Sequence, residues 1–198
     1  LTGDCLIVDN LHMKLATFTH GGRTRIGVVR GESVLDLSTL APNLPTSMRA
    51  FLEAGEPALE AARAVKRSAA PGLALKEVHL EAPVPDPRKF LGIGGNTHSH
   101  MAEVKAAGIP IRHSPHQTWF NKQVTCVSGP FSDIHLPAIS HELDYEGELG
   151  IVIGRRCRNV PREQAAQAIA GYTATAAKPT GFVDFMLNLV PTSIVDAL

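Results

Sequence analysis

A chain of 198 residues is long enough for one large domain or for two smaller ones. Hydrophobic residues at 44% and charged residues at 19% give a globular balance and exclude a disordered chain. The 19 basic and 19 acidic residues cancel, which argues against a nucleic-acid partner, and no apolar run reaches the roughly 18 to 20 residues that cross a bilayer. Cys5, Cys126 and Cys157 are odd in number and form no CxxC pair. That pattern points away from a disulfide framework or a zinc knuckle, and toward the cytoplasm.

Residues 1–12 do not read as a signal peptide, because no basic region precedes an apolar core. From Met13 the pattern is cleaner. Residues 14–19, 25–29 and 33–37 read as short strands, separated by Gly21-Gly22 and Gly31-Glu32, which predicts a small antiparallel meander. Residues 48–54 predict a short helix ending at Gly55. Pro57 suits the start of a second helix over 58–68, with Leu59, Ala62 and Val65 on one face to pack over the meander. Residues 78–80 predict a short strand. Pro83, Pro85 and Pro87 make 81–88 a linker and the best domain boundary in the chain.

Beyond the linker, residues 89–94 predict a strand ending in glycines. Asn96, Thr97 or Ser99 then caps a helix carrying His100, Met101, Glu103 and Val104, and Gly108 and Pro110 stop it. Trp119 to Lys122 form an aromatic-basic cluster. Residues 124–127 and 134–136 predict two more short strands. An acidic stretch with Glu142, Asp144, Glu146 and Glu148 leads into the apolar strand Leu149 to Ile153. Pro161 and Glu163 predict a helix that Gly171 stops, and 172–176 predict a last strand.

Three constellations carry chemistry. Glu146 and Glu148 share a strand face by the period of two, with Gly150 and Val152 beyond them, while Tyr145, Leu149, Ile151 and Ile153 line the other face. Two carboxylates heading into apolar sequence repel each other and lose hydration, so they fit a divalent cation; an exposed acidic patch on an edge strand is the alternative. His100 and Glu103 stand at i and i+3 on a helix, where a carboxylate can orient an imidazole for general-base work; a plain surface pair fits the same spacing. Lys122 beside Trp119 and Phe120 can hold a carboxylate or enolate, or simply snorkel from an apolar patch. Gly92-Ile93-Gly94-Gly95 matches neither GxGxxG nor a P-loop.

Four segments resemble the fumarylacetoacetate hydrolase family: MKLATF at 13–18, FLGIGGNTHSHMAE at 90–103, WFNK at 119–122 and LDYEGELGIVIGRRCR at 143–158. The resemblance implies a mixed α/β, mainly β fold. It would be a partial β-roll catalytic domain over 89–177, behind a small N-terminal β-meander domain over 13–80 and the linker 81–88. It implies Mg2+ or Mn2+ held by Glu146 and Glu148, a water-activating or proton-transferring pair in His100 and Glu103, and Lys122 on the substrate. The substrate would be an acylpyruvate or another 2-oxo acid, turned over by a hydrolase or isomerase through a metal-stabilised enolate. A homodimer, with no nucleic acid and no membrane, is the implied assembly.

The chain also departs from that pattern. The family's third metal carboxylate, an aspartate, falls on Ala177, and residues 178–198 do not resemble the family, whose later half has no counterpart here. Two glutamates and water make a weak divalent site. Two readings follow from the sequence: a metal-dependent hydrolase or isomerase lineage, inactive in this form, and a noncatalytic partial-fold module for binding or oligomerisation.

Overall fold

The computed structural model describes residues 6–8, 13–110, 115–135, 138–139, 141 and 147–175. In chain order its elements are β1 (Leu6–Val8), β2 (Met13–His20), β3 (Arg23–Arg30), β4 (Ser33–Asp36), α1 (Leu37–Leu40), α2 (Met48–Glu53), α3 (Glu56–Arg67), β5 (Leu73–Ala74), β6 (His79–Leu80), β7 (Phe90–Gly94), α4 (His98–Ala106), β8 (Thr118–Lys122), β9 (Glu148–Ile153) and β10 (Ile169–Thr175). The chain divides into two compact units, Leu1–Pro85 with Ser128–Leu198, and Asp86–Val127. The architecture is mixed α/β and mainly β, with the meander at its N-terminal end, as expected.

In the larger unit, eight strands among the described residues form one sheet, in the order β5-β4-β3-β2-β1-β10-β9, with β6 also on β2. The meander is built by its turns. Gly21 and Gly22 both take positive φ, 58° and 73°, between paired His20 and Arg23. Two left-handed residues give the turn whose twist suits a two-residue hairpin. Gly31, with φ of 59°, serves the next turn. Gly27 is a packing glycine, since a Cβ there would lie 2.5 Å from Val34 Cγ2 and 2.7 Å from the Leu35 carbonyl oxygen.

Alternation puts buried residues on both faces of the meander. Met13, Leu15, Ile26, Val28 and Leu35 face one way and join Leu37, Met48, Phe51, Ala58, Ala62 and Val65 in one core. Ala16, Phe18, Val29 and Val34 face the other way and meet Leu80, with Leu73, Leu75 and Val78 at the margin. The helices form where the chain caps them. Ser47 accepts from the Ala50 amide at α2, and Pro57 sits in the first turn of α3. The buried positions of α3 are Ala58, Ala62 and Val65, with Leu59 packed beside them. On its outer side the guanidinium groups of Arg67 and then Arg63 hold the Glu60 carboxyl below its usual range.

Asp36 joins sheet to helices. Its carboxylate receives the Arg25 guanidinium at 2.6 Å, the Ser38 amide at 2.9 Å and the Thr39 hydroxyl at 3.1 Å. It thus ends β4, caps α1 and neutralises a cation on β3. After β6 the chain stays against β2: Thr19 donates to Glu81 and Thr17 donates to the Pro83 carbonyl.

Several elements differ from expectation; residues 134 and 135, expected in a short strand, take no regular structure, and residue 136 lies outside the described residues. Trp119 to Lys122 belong to a strand, paired with β7. Residues 124–126 form a 3-10 turn closed by the Cys126 amide on the Gln123 carbonyl. The helix expected after Pro161 is also 3-10, over Arg162–Ala168, and passes directly into β10, so Gly171 lies within a strand. The register of β10 on β9 shifts between Ile169 and Gly171. There Gly154 packs against Ala170, whose Cβ would lie 2.6 Å from any Cβ added to the glycine. A strand that has a partner to pair with overrides a weak helical pattern.

Replacing Asp36 by alanine removes a cap and a charge-assisted pair together. The expected cost is about 2.5–4 kcal/mol of unfolding free energy, against about 1–2 kcal/mol for Asp36→Asn, which keeps the cap. Urea titrations of the two variants check this, and equal losses would show that the cap contributes nothing beyond the Arg25 pair.

Candidate functional site

The smaller unit is a hairpin with one helix. β7 and β8 pair in strict register, Phe90 with Lys122, Leu91 with Asn121, Gly92 with Phe120, Ile93 with Trp119 and Gly94 with Thr118. Phe90, Gly92, Phe120 and Lys122 therefore share one face, and Leu91, Ile93 and Trp119 the other. On the first face the Lys122 Nζ lies 5.6 Å from the Phe90 ring centre and 5.7 Å from that of Phe120. A lysine ammonium over two aromatic faces is held by their quadrupoles, while its remaining hydrogens stay free for an anion.

Between the strands, Gly95 takes φ of 62° and Thr97 caps α4, accepting from the His100 amide at 3.3 Å. The cap sets the helix phase and brings His100 Nδ1 to 4.0 Å from Glu103 Oε2. Both side chains are open to water, 50% and 79% exposed. At that separation and exposure the pair contributes little to the stability of the helix. An open concavity of about 810 Å³ runs along the opposite side of α4, lined by Asn96, Thr97, His98, Met101, Lys105 and neighbours. His100, Glu103 and Lys122 are not among its walls.

In the larger unit, Glu148 opens β9, opposite Thr175 on β10, and is exposed. Glu146, the second expected ligand, and Ala177 lie outside the described residues, as do 178–198. Val152, on the Glu148 face, packs against the main core. Ile151 and Ile153 on the other face are 53% and 57% exposed.

The expected Mg2+ or Mn2+ site is corrected on these grounds. Among the described residues no three His, Cys, Asp or Glu side chains come together to hold a metal ion. A hard divalent cation takes about six oxygens, and the described part of the acidic stretch offers one water-exposed carboxylate. The repulsion and lost hydration that called for a cation do not arise for a glutamate that stays in water. The magnesium-dependent enolate chemistry built on that site is corrected with it.

Comparison with known proteins gives the lineage. Residues 89–176 match the family described as "Fumarylacetoacetate (FAA) hydrolase C-terminal". The chain belongs to the fumarylacetoacetate hydrolase family. It is 35% identical over 167 residues to the mitochondrial oxaloacetate tautomerase fahd2 of Xenopus laevis, covering 82% of this chain and 51% of that protein. To the human mitochondrial oxaloacetate tautomerase FAHD2A it is 34% identical, over 72% of this chain and 44% of that protein. Among solved structures, maleylpyruvate hydrolase from Sphingobium sp. SYK-6, in complex with manganese(II) and pyruvate, superposes with a TM-score of 0.64 at 30% identity, over 81% of this chain and 56% of that one. This bears out the expected family β-roll. The chain spans about half the length of the curated relatives it matches. The cytoplasmic expectation is overturned by the same comparison, since the frog and human relatives are named as mitochondrial.

Sequence reasoning missed Phe90 as a partner of Lys122. The signal was present as two alternating pairs, Phe-x-Gly at 90–92 and Phe-x-Lys at 120–122, which antiparallel pairing places on one face.

Glu103→Gln removes the charge that faces His100 but no buried contact. It is expected to shift unfolding free energy by less than about 0.5 kcal/mol. Thermal denaturation of both proteins checks this, and a larger loss would show that the pair holds α4 in place.

Proposed function

We propose that this chain is a noncatalytic partial-fold module of the fumarylacetoacetate hydrolase family that binds a small 2-oxo acid through the hairpin of β7 and β8. The observation that carries the reading is the Lys122 ammonium, held over Phe90 and Phe120 on the same compact unit as His100 and Glu103. In this reading Lys122 pairs with the ligand carboxylate. His100 offers a ring nitrogen to the oxo group, and Glu103 orients the imidazole. The names of the relatives support the ligand class, because oxaloacetate and maleylpyruvate are both 2-oxo acids and one solved relative holds pyruvate. The family match over 89–176 also supports a division into an N-terminal domain at 13–80, a linker at 81–88 and the start of the family's catalytic domain beyond it.

Binding is favoured over turnover by solvent exposure. Stabilising developing charge needs donors fixed in a site that excludes water. His100 and Glu103 stand in water, 4.0 Å apart, and bring no such exclusion with them. Assembly is a second reading, supported by β9. Among the described residues it is the last strand of its sheet, and it carries exposed Ile151 and Ile153, so a second copy of the chain could pair there to give the expected homodimer.

Isothermal titration of pyruvate tests the first reading. Wild-type protein is expected to bind, and Lys122→Met to bind about tenfold more weakly, in line with loss of one charge-assisted hydrogen bond. Equal affinities would overturn the role of Lys122. Steady conversion of oxaloacetate tautomers or of maleylpyruvate by the wild-type chain would overturn the noncatalytic reading.

A further inference from the structure

We infer that Gly92 and Phe120 are positioning residues for Lys122, acting as a socket and a clamp that hold its ammonium ready for an anion. The inference rests on the reading of Lys122 as the ligand's carboxylate partner and adds what fixes that lysine in space. Gly92 and Phe120 are directly paired across the hairpin, and the aromatic ring lies over the glycine. A Cβ at Gly92 would run into that ring, with its two Cε atoms at 2.6 and 2.8 Å. No other residue at 92 leaves the space that the ring occupies. An aromatic side chain laid across a cross-strand glycine is a known way to cover exposed backbone. Here it has a second consequence, because the ring so placed faces Lys122 Nζ at 5.7 Å while Phe90, paired with Lys122 itself, faces it at 5.6 Å.

The clamp matters because lysine is flexible. Ordering a free lysine side chain costs more rotamer entropy than one exposed ion pair returns. Two aromatic faces restrict the ammonium before any ligand arrives, so less freedom is lost on binding. Gly94 supplies the matched control. It lies on the same strand and face, two residues on, and a Cβ there meets nothing closer than Thr118 at 3.9 Å.

The test compares Gly92→Ala, Gly94→Ala, Phe120→Leu and Phe120→Tyr in the full chain. Two readouts are used: the proton shifts of the Lys122 ε-methylene, assigned by their loss in Lys122→Ala, and pyruvate affinity. In the wild type the two rings displace these resonances from their free-lysine position. Gly92→Ala and Phe120→Leu are expected to return them toward that position and to weaken pyruvate binding about three- to tenfold. Gly94→Ala and Phe120→Tyr are expected to leave both unchanged. Phe120→Leu keeps the test decisive if Gly92→Ala fails to fold. Unchanged Lys122 resonances in Phe120→Leu would overturn the inference. So would displaced resonances with unchanged pyruvate affinity, since the clamp would then serve only the hairpin. If the wild type does not bind pyruvate, the ligand reading fails, while the resonance comparison still decides whether Gly92 and Phe120 place the lysine.

Discussion

A sheet that is apolar on both faces has to be covered twice, and the larger unit is arranged around that requirement. Residues 13, 15, 26, 28 and 35 on one face and 16, 18, 29 and 34 on the other leave the meander no solvent side. The first face is closed by three helices within about thirty residues of β4, the second by β6 and the short segments around it. Asp36 makes the first closure local. By ending the strand, capping α1 and pairing with Arg25, it turns the chain onto the face that needs covering. The partly buried Arg25 could not sit beneath that corner without a carboxylate, since an unpaired charge there would cost more than the helix returns.

The same core reaches β9 and β10. Val152 and Ala170 pack at its margin, so the acidic strand is held by its even-numbered face and shows its odd-numbered one. This reverses the weight that sequence alone assigns. Reading Glu146 and Glu148 as a buried pair assumes that their face is dry where it begins. The strand instead starts in water at Glu148 and gains cover only at Val152. A carboxylate that keeps its hydration has no electrostatic need for a cation, whatever its neighbours in sequence.

Period-two alternation with glycine turns made the meander legible, because Gly21-Gly22 and Gly31 signal their geometry chemically. The helix with His100 and Glu103 was legible for the same reason: Thr97 caps it and Gly108 ends it. Trp119 to Lys122 were not legible as a strand, since four residues carry no period of their own and their partners lie 26 to 32 residues earlier. The segment after Pro161 failed in the opposite sense. Ala165 and Ala168 fit a helix locally, but pairing with β9 begins at Ile169 and leaves room only for 3-10 turns. Exposure was the least legible property. It depends on what lies across a face, and no residue at 148, 151 or 153 encodes that.

On the proposed reading, what separates a binding surface from a reaction centre on this hairpin is the source of its selectivity. In water two unit charges 4 Å apart attract by only about 1 kcal/mol. A half-buried surface lysine such as Lys122 therefore gains little from charge alone, and gains most from being already in place. Register supplies that place: Phe90 opposite Lys122, Phe120 opposite a glycine with no side chain to displace it. His100 and Glu103 have no comparable support, being joined to the hairpin through Gly95 and the Thr97 cap and touching each other at 4.0 Å in open solvent. On the proposed reading, the lysine held over two rings supplies recognition of the ligand carboxylate, and the imidazole adds only a weak contact. To move a proton on the ligand, the imidazole would need a fixed distance and dry surroundings, and His100, half exposed and 4.0 Å from Glu103, has neither.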